Sequence, residues 1–177
     1  MHGRKTMSVF ISLKFGVCCT FQPALSAAAS TLVGTRKAAW AIALALALTA
    51  QQGHACTLNV TGVNFGSYDV FSNAALDSTG NIDVNCPSGV GYSIALSEGG
   101  GRHAQRVMSS GGHRLNYNLY NEANRGLVWG DATSGTARVS GTGIGVSVNH
   151  AVYGRIPARQ NVHAGSYSDI IIVALTF

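Results

Sequence analysis

Four of the six histidines, His103, His113, His150 and His163, are the side chains most suited to holding a metal or moving a proton. They lie on separate stretches of chain, without the close pairing that lets histidines converge on one ion, and read as packed or solvated side chains. Gly141-Thr-Gly-Ile-Gly145 has the glycine density of a phosphate loop, but the following Val146-Ser-Val-Asn-His150 alternates like a strand. With no helix N-terminus to meet a phosphate, those glycines mark a bend or bulge. Serines are plentiful, yet no nucleophile elbow or neighbouring base singles one out. The chain reads as non-enzymatic, with no cofactor and no metal.

Cysteine chemistry depends on the compartment, and the N-terminal region bears on that. Residues 36–55 read as a secretory signal: Arg36-Lys37 form a charged start, Ala38 to Ala50 an apolar core, and Gln51 to Ala55 a polar stretch. Gly53 and Ala55 are small residues at −3 and −1, which fits cleavage after Ala55. This core of thirteen residues falls short of the ~20 a membrane-spanning helix needs, so no membrane span is expected once the signal is removed. Lipid attachment at Cys56 fits poorly, because Gly53 and His54 stand where lipoprotein signals carry an aliphatic and a small residue. Residues 1–35 form an unusually long extension with a second apolar run around Phe15 to Ala29; a translation start near Leu32 or Val33 would account for them. The expected division is 1–55, removed, and 56–177, the exported domain.

Removal of residues 1–55 takes away Cys18 and Cys19 and leaves Cys56 and Cys86, an even number in a disulfide-permissive setting. They are expected to pair, in preference to two buried thiols or a zinc site. Closing a loop of about 30 residues contributes roughly 3 to 4 kcal/mol on the chain-entropy model, a large share of a small domain's stability. Processing also changes the charge. The whole chain carries +5, but from Cys56 onward seven arginines face seven acidic residues, leaving zero. A neutral domain with scattered arginines lacks the footprint of phosphate-backbone binding, which sets nucleic acid aside.

Period-2 alternation organises residues 56–177. It runs through Ile82, Val84 and Cys86; Tyr92, Ile94 and Leu96; Leu115, Tyr117 and Leu119; Ile144, Val146 and Val148; and Ile171, Val173, Leu175 and Phe177. Turn signals separate the runs at Ser78-Thr-Gly-Asn, Pro87-Ser-Gly, Glu98-Gly-Gly-Gly, Ser109-Ser-Gly-Gly and Asp131-Ala-Thr-Ser-Gly. Short strands at this spacing predict an all-β, antiparallel sandwich of immunoglobulin-like type. Trp129, Tyr120 and Tyr153 read as core or rim packing. Arg106 and Arg155 either pair with Asp69 or Asp169 or stay solvated. Val70, Phe71 and Ala74-Ala-Leu76 form either an exposed sticky tip loop or a loop folded over the end of the sandwich. The last run, Ser168 to Phe177, is the most strongly β-forming, yet no later strand follows to cover one of its edges. Such an edge is a liability unless another chain supplies the partner.

The ordered set Cys56-Thr-Leu, Phe65-Gly-Ser-Tyr-Asp69, Gly80-Asn-Ile-Asp-Val-Asn-Cys86, Arg106-Val-Met108, Leu115-Asn-Tyr-Asn-Leu-Tyr120, Trp129-Gly130, Val152-Tyr-Gly-Arg-Ile-Pro157, Gly165-Ser-Tyr-Ser-Asp169 and Leu175-Thr-Phe177 resembles the spore coat protein U domain, the subunit family of archaic chaperone–usher pili. The resemblance spans nearly all of residues 56–177. It implies an incomplete immunoglobulin-like sandwich lacking its last strand, with a periplasmic pilus chaperone, an outer-membrane usher and other pilus subunits as partners. It further implies secretion through the periplasm to the cell surface and strand addition at an open edge. On that basis Ile171, Val173, Leu175 and Phe177 form the face covered by the donated strand, with the Phe177 carboxylate held by basic residues of the chaperone.

The chain departs from the family in one place. Fibre-forming subunits carry an alternating apolar extension before the first cysteine, and cleavage after Ala55 leaves none. Ala41-Ile-Ala-Leu-Ala-Leu-Ala-Leu-Thr49 alternates, but its place after Arg36-Lys37 makes it signal core. A subunit without a donor strand accepts one and gives none, which suits a pilus tip. A carbohydrate- or surface-binding tip module and a non-polymerising coat protein are the alternatives.

Overall fold

The computed structural model describes residues 7–10, 12–15 and 55–177. Residues 36–54 of the expected signal, together with Cys18 and Cys19, lie outside the described residues. Alternation along the chain becomes strand pairing: β1 (Met7–Phe10), β2 (Ser12–Phe15), β3 (Thr57–Thr61), β4 (Asn64–Tyr68), β5 (Leu76–Asn85), β6 (Gly91–Leu96), β7 (Arg106–Ser110), β8 (His113–Tyr120), β9 (Val139–Thr142), β10 (Ser147–Ile156) and β11 (Ile170–Thr176).

A five-stranded sheet runs β3-β5-β10-β8-β7, a four-stranded sheet runs β2-β11-β6-β9, and β4 pairs with β1. Apart from β2 beside β11, the paired strands are antiparallel. The inner faces meet in a core that includes Ile82, Val84, Ile94, Leu119, Val152 and Ile171, each at most 1% exposed. Burying such a side chain contributes about 1.5 to 3 kcal/mol, so the alternating residues specify which face of each strand turns inward. Trp129 lies among them, its indole N–H donating to the Ile94 carbonyl at 3.1 Å. Cys56 and Cys86 are joined as a disulfide, their sulfurs 2.03 Å apart. The fold is the expected all-β sandwich.

Two local expectations fail. Ser78-Thr-Gly-Asn81 is not a turn but the middle of β5, paired in register with Ala151 to Gly154 of β10. Its glycine answers a different need: a Cβ on Gly80 would sit 2.6 Å from the Thr61 carbonyl oxygen, so the residue permits a close backbone approach rather than a reversal. Conversely, Ile144 and Val146 do not begin a strand. They are 62% and 58% exposed in the turn before β10, where Gly145 takes a φ of +79°. Alternation continued through those positions while the backbone did not stay extended. The Gly111-Gly112 turn does form: both φ angles are positive, as a two-residue hairpin between β7 and β8 requires.

Candidate strand-accepting cleft

The last strand is held firmly on one side. Ile171, Val173 and Leu175 are at most 1% exposed, Phe177 is half-buried against the same core, and Ile170 and Ile172 face outward at 46% and 49%. The three aliphatic positions expected to form the covered face therefore lie inside the sandwich. Ile172 turns its main chain toward β6: its N–H donates to Ser97 Oγ at 2.9 Å, and its carbonyl accepts from the Ser97 N–H at 3.0 Å. Strand alternation then directs the N–H and C=O groups of Ile171, Val173 and Leu175 to the opposite edge. That edge is taken by β2, which runs parallel to β11 and aligns Ser12 to Phe15 with Ile170 to Val173. The Ser12 N–H donates to the Asp169 carbonyl at 3.1 Å. The preceding strand, β1, lies antiparallel against β4, with Met7 opposite Tyr68. Residues 7–10 and 12–15 thus pair with β4 and β11, and no described strand of residues 56–177 takes either place.

The start of β11 is fixed by Asp169. Its carboxylate accepts from the Tyr117 hydroxyl at 2.7 Å, the Gly100 N–H at 2.9 Å and the Ile170 N–H at 2.8 Å. Burial, reinforced by the neighbouring Asp169 charge, pushes the Tyr117 hydroxyl well above its ordinary pKa, so it stays protonated and donates. Gly99 is small by necessity, since a Cβ there would collide with the Asp169 carboxylate.

Arg106 fixes the end of β6. The fully buried guanidinium donates from Nε and Nη2 to the Ser97 carbonyl at 3.0 and 2.8 Å, from Nη2 to the Trp129 carbonyl at 2.7 Å, and from Nη1 to Asn118 Oδ1 at 2.8 Å. Burial lowers its pKa, with Tyr117 and Asp169 acting in the opposite sense. Neither Arg106 nor Arg155 makes a salt bridge to Asp69 or Asp169 among the described residues. Arg155 instead forms a two-pronged pair with Asp77, directly across from it on β5, at 2.7 and 2.8 Å. The Arg155 bond is the main reason the Asp77 carboxyl lies below the usual carboxylate range. The signal for Arg106 was its place in a short apolar run, Arg106-Val-Met108, where a charge without a buried role is out of keeping.

The other candidates lie apart from the cleft. Phe71 is 77% exposed, in a turn where its N–H donates to Asp69 Oδ1 at 2.9 Å, while Val70 and Leu76 pack on the core. Leu76 belongs to a strand rather than a loop, opening β5 opposite Ile156 of β10 within the five-stranded sheet. The histidines serve separate contacts. His103 Nε2 lies 3.1 Å from Asp131 Oδ1, His150 Nε2 lies 2.9 Å from the Tyr92 hydroxyl, and the rings of His113 and His163 stack 3.9 Å apart. Among the described residues no three metal-binding side chains converge.

The arrangement is an immunoglobulin-like sandwich whose last strand is completed by a segment from outside the disulfide-closed domain. The Spore Coat Protein U domain family matches residues 42–174. Protein U of Myxococcus xanthus is 35% identical over 169 residues, covering 85% of this chain and 93% of that protein. The chain belongs to the Spore Coat Protein U domain family. Its fold is similar to a chain in the crystal structure of the CsuC–CsuE chaperone–tip adhesion subunit pre-assembly complex from the archaic chaperone–usher Csu pili of Acinetobacter baumannii. That match has a TM-score of 0.52 and 21% identity; it covers 70% of this chain and 40% of that one.

Proposed function

We propose that this chain is a non-catalytic structural subunit of an adhesive surface fibre, exported through the periplasm and assembled by a chaperone and an outer-membrane usher. The observation that carries the reading is the edge of β11. The strand is buried on its apolar face, yet the main-chain groups of Ile171 and Val173 point away from β6, and residues 56–177 provide no strand for that edge. Added strands gain affinity from main-chain hydrogen bonds along such an edge. Membership of the family supports the reading, as does the likeness to a chaperone–tip adhesion subunit complex.

Within this reading, residues 1–55 are a removed leader and residues 56–177 the working subunit. A chain cleaved after Ala55 begins on its disulfide, accepts a strand and donates none, which places it at a fibre tip. Phe71, exposed at a turn, suits contact with a target there. Co-expression with the chaperone should give a stable one-to-one complex, and removal of Leu175 to Phe177 should abolish it. Export of the untruncated chain with no chaperone capture would overturn the proposal. Mass spectrometry of the mature N-terminus tests the tip placement: a start at Cys56 supports it, and a start well upstream excludes it.

A non-polymerising coat protein is the second reading. It is favoured by the similarity to Protein U along almost the whole of that protein. Secretion without chaperone capture would distinguish it.

A further inference from the structure

Met7-Ser-Val-Phe-Ile-Ser-Leu-Lys-Phe15 carries an apolar residue at every odd position, Met7, Val9, Ile11, Leu13 and Phe15, and at one even position, Phe10. The strand register gives that alternation a direction. Position 13 lies opposite Ile171 and position 15 opposite Val173. Laterally paired positions share a sheet face, so these two fall on the face that β11 turns to the core. Positions 12 and 14 fall on the face of Ile170 and Ile172, which are half-exposed, and they are Ser12 and Lys14. On the other side of the cleft, position 7 lies opposite Tyr68, which is 1% exposed. A register shift between Val9 and Phe10 interrupts the β1 pairing. One segment therefore pairs with both β4 and β11, with positions 7, 13 and 15 opposite the buried Tyr68, Ile171 and Val173.

We propose that residues 7–15 are the chain's own cleft-filling strand: in any form that retains them, they close the β4–β11 cleft from within and compete with a strand offered by a chaperone or a second subunit. Forty residues separate Phe15 from Cys56; extended, they reach roughly 130 Å, so tether length does not restrict docking. A segment tethered in this way acts at an effective concentration of about millimolar, well above that of a free strand. Removal of residues up to Ala55 then becomes the step that opens the cleft. This inference rests on the proposed function only for what the opened cleft receives.

The experiment uses the oxidised full-length chain and hydrogen exchange at three amides that share the free-edge orientation. Ile171 and Val173 lie within the reach of β2, and Leu175 lies beyond its last paired residue. Exchange at Ile171 and Val173 should be at least tenfold slower than at Leu175. The probe for competition is a labelled synthetic peptide with the sequence of residues 7–15. The parent chain and the outward-position variant Ser12→Asp should exclude it, whereas Leu13→Asp should lose the protection and take it up. Equal exchange at all three amides in the parent would overturn the proposal without recourse to any variant. Peptide uptake by the parent as rapid as by Leu13→Asp would also overturn it, as would a dimer at micromolar concentration in which two chains exchange the segment. A Leu13→Asp chain that takes up the peptide but is not captured by chaperone would leave this inference standing and count against the pilus reading.

Discussion

Two arginines that look alike in the sequence have opposite energetic standing. Arg106 is fully buried with its donors on the Ser97 and Trp129 carbonyls and Asn118, so replacing it strands several buried acceptors. Arg106→Met should cost about 3 kcal/mol or more, read from the urea midpoint. Arg155 forms its pair with Asp77 at the surface, and Arg155→Met should cost less than ~1 kcal/mol. His150 makes a prediction in pH. Burial lowers its pKa from 6.5, opposed by Asp83, so the folded state binds the proton less readily than the unfolded chain. Its contribution is fully present above pH 6.5 and is lost as pH falls from there through the lowered folded value. The urea midpoint should fall over that window in the parent and fall less in His150→Gln. None of these roles was legible from residue type, because burial and partner depend on which strands meet.

At the scale of the element, alternation and turn chemistry carry different amounts of information. Strands β6, β8 and β11 lie where alternating residues place them, because one face of each is buried in a shared core. Glycine was less legible, since it serves both for reversal and for close approach. Gly80 sits within β5 against the Thr61 carbonyl, whereas Gly145 turns the chain before β10. Gly80→Ala should push β3 away from β5 and cost about 1 to 3 kcal/mol, as overpacking of a tight contact does. Amide exchange in Leu58 to Thr61 should accelerate, while β8 should be unaffected.

For the whole molecule, the disulfide and the cleft set different limits. The Cys56–Cys86 bond spans 30 residues and ties the entry of β3 to the exit of β5. Replacing both cysteines by alanine should cost about 3 to 4 kcal/mol, and the same loss should follow from reductant added to the parent chain. The cleft acts differently: its edge is satisfied or left open according to which segment of which molecule is present. Under the proposed function, filling it changes what the domain binds, while removing the disulfide changes how well it stays folded.

The order of residues determined the sandwich, the inward face of its main strands and the pairing of Cys56 with Cys86, because alternation and a small set of cysteines are local patterns with few solutions. Among residues 56–177 it supplies no strand for one edge of β11. Tertiary structure decided what meets that edge. Residues 7–15 are apolar at their odd positions, with Phe10 breaking the alternation, and the pattern identifies no partner until register places positions 13 and 15 beside Ile171 and Val173. Pairing across more than 150 residues depends on an edge created only when β11 packs against β6, and alternation within nine residues does not encode that geometry.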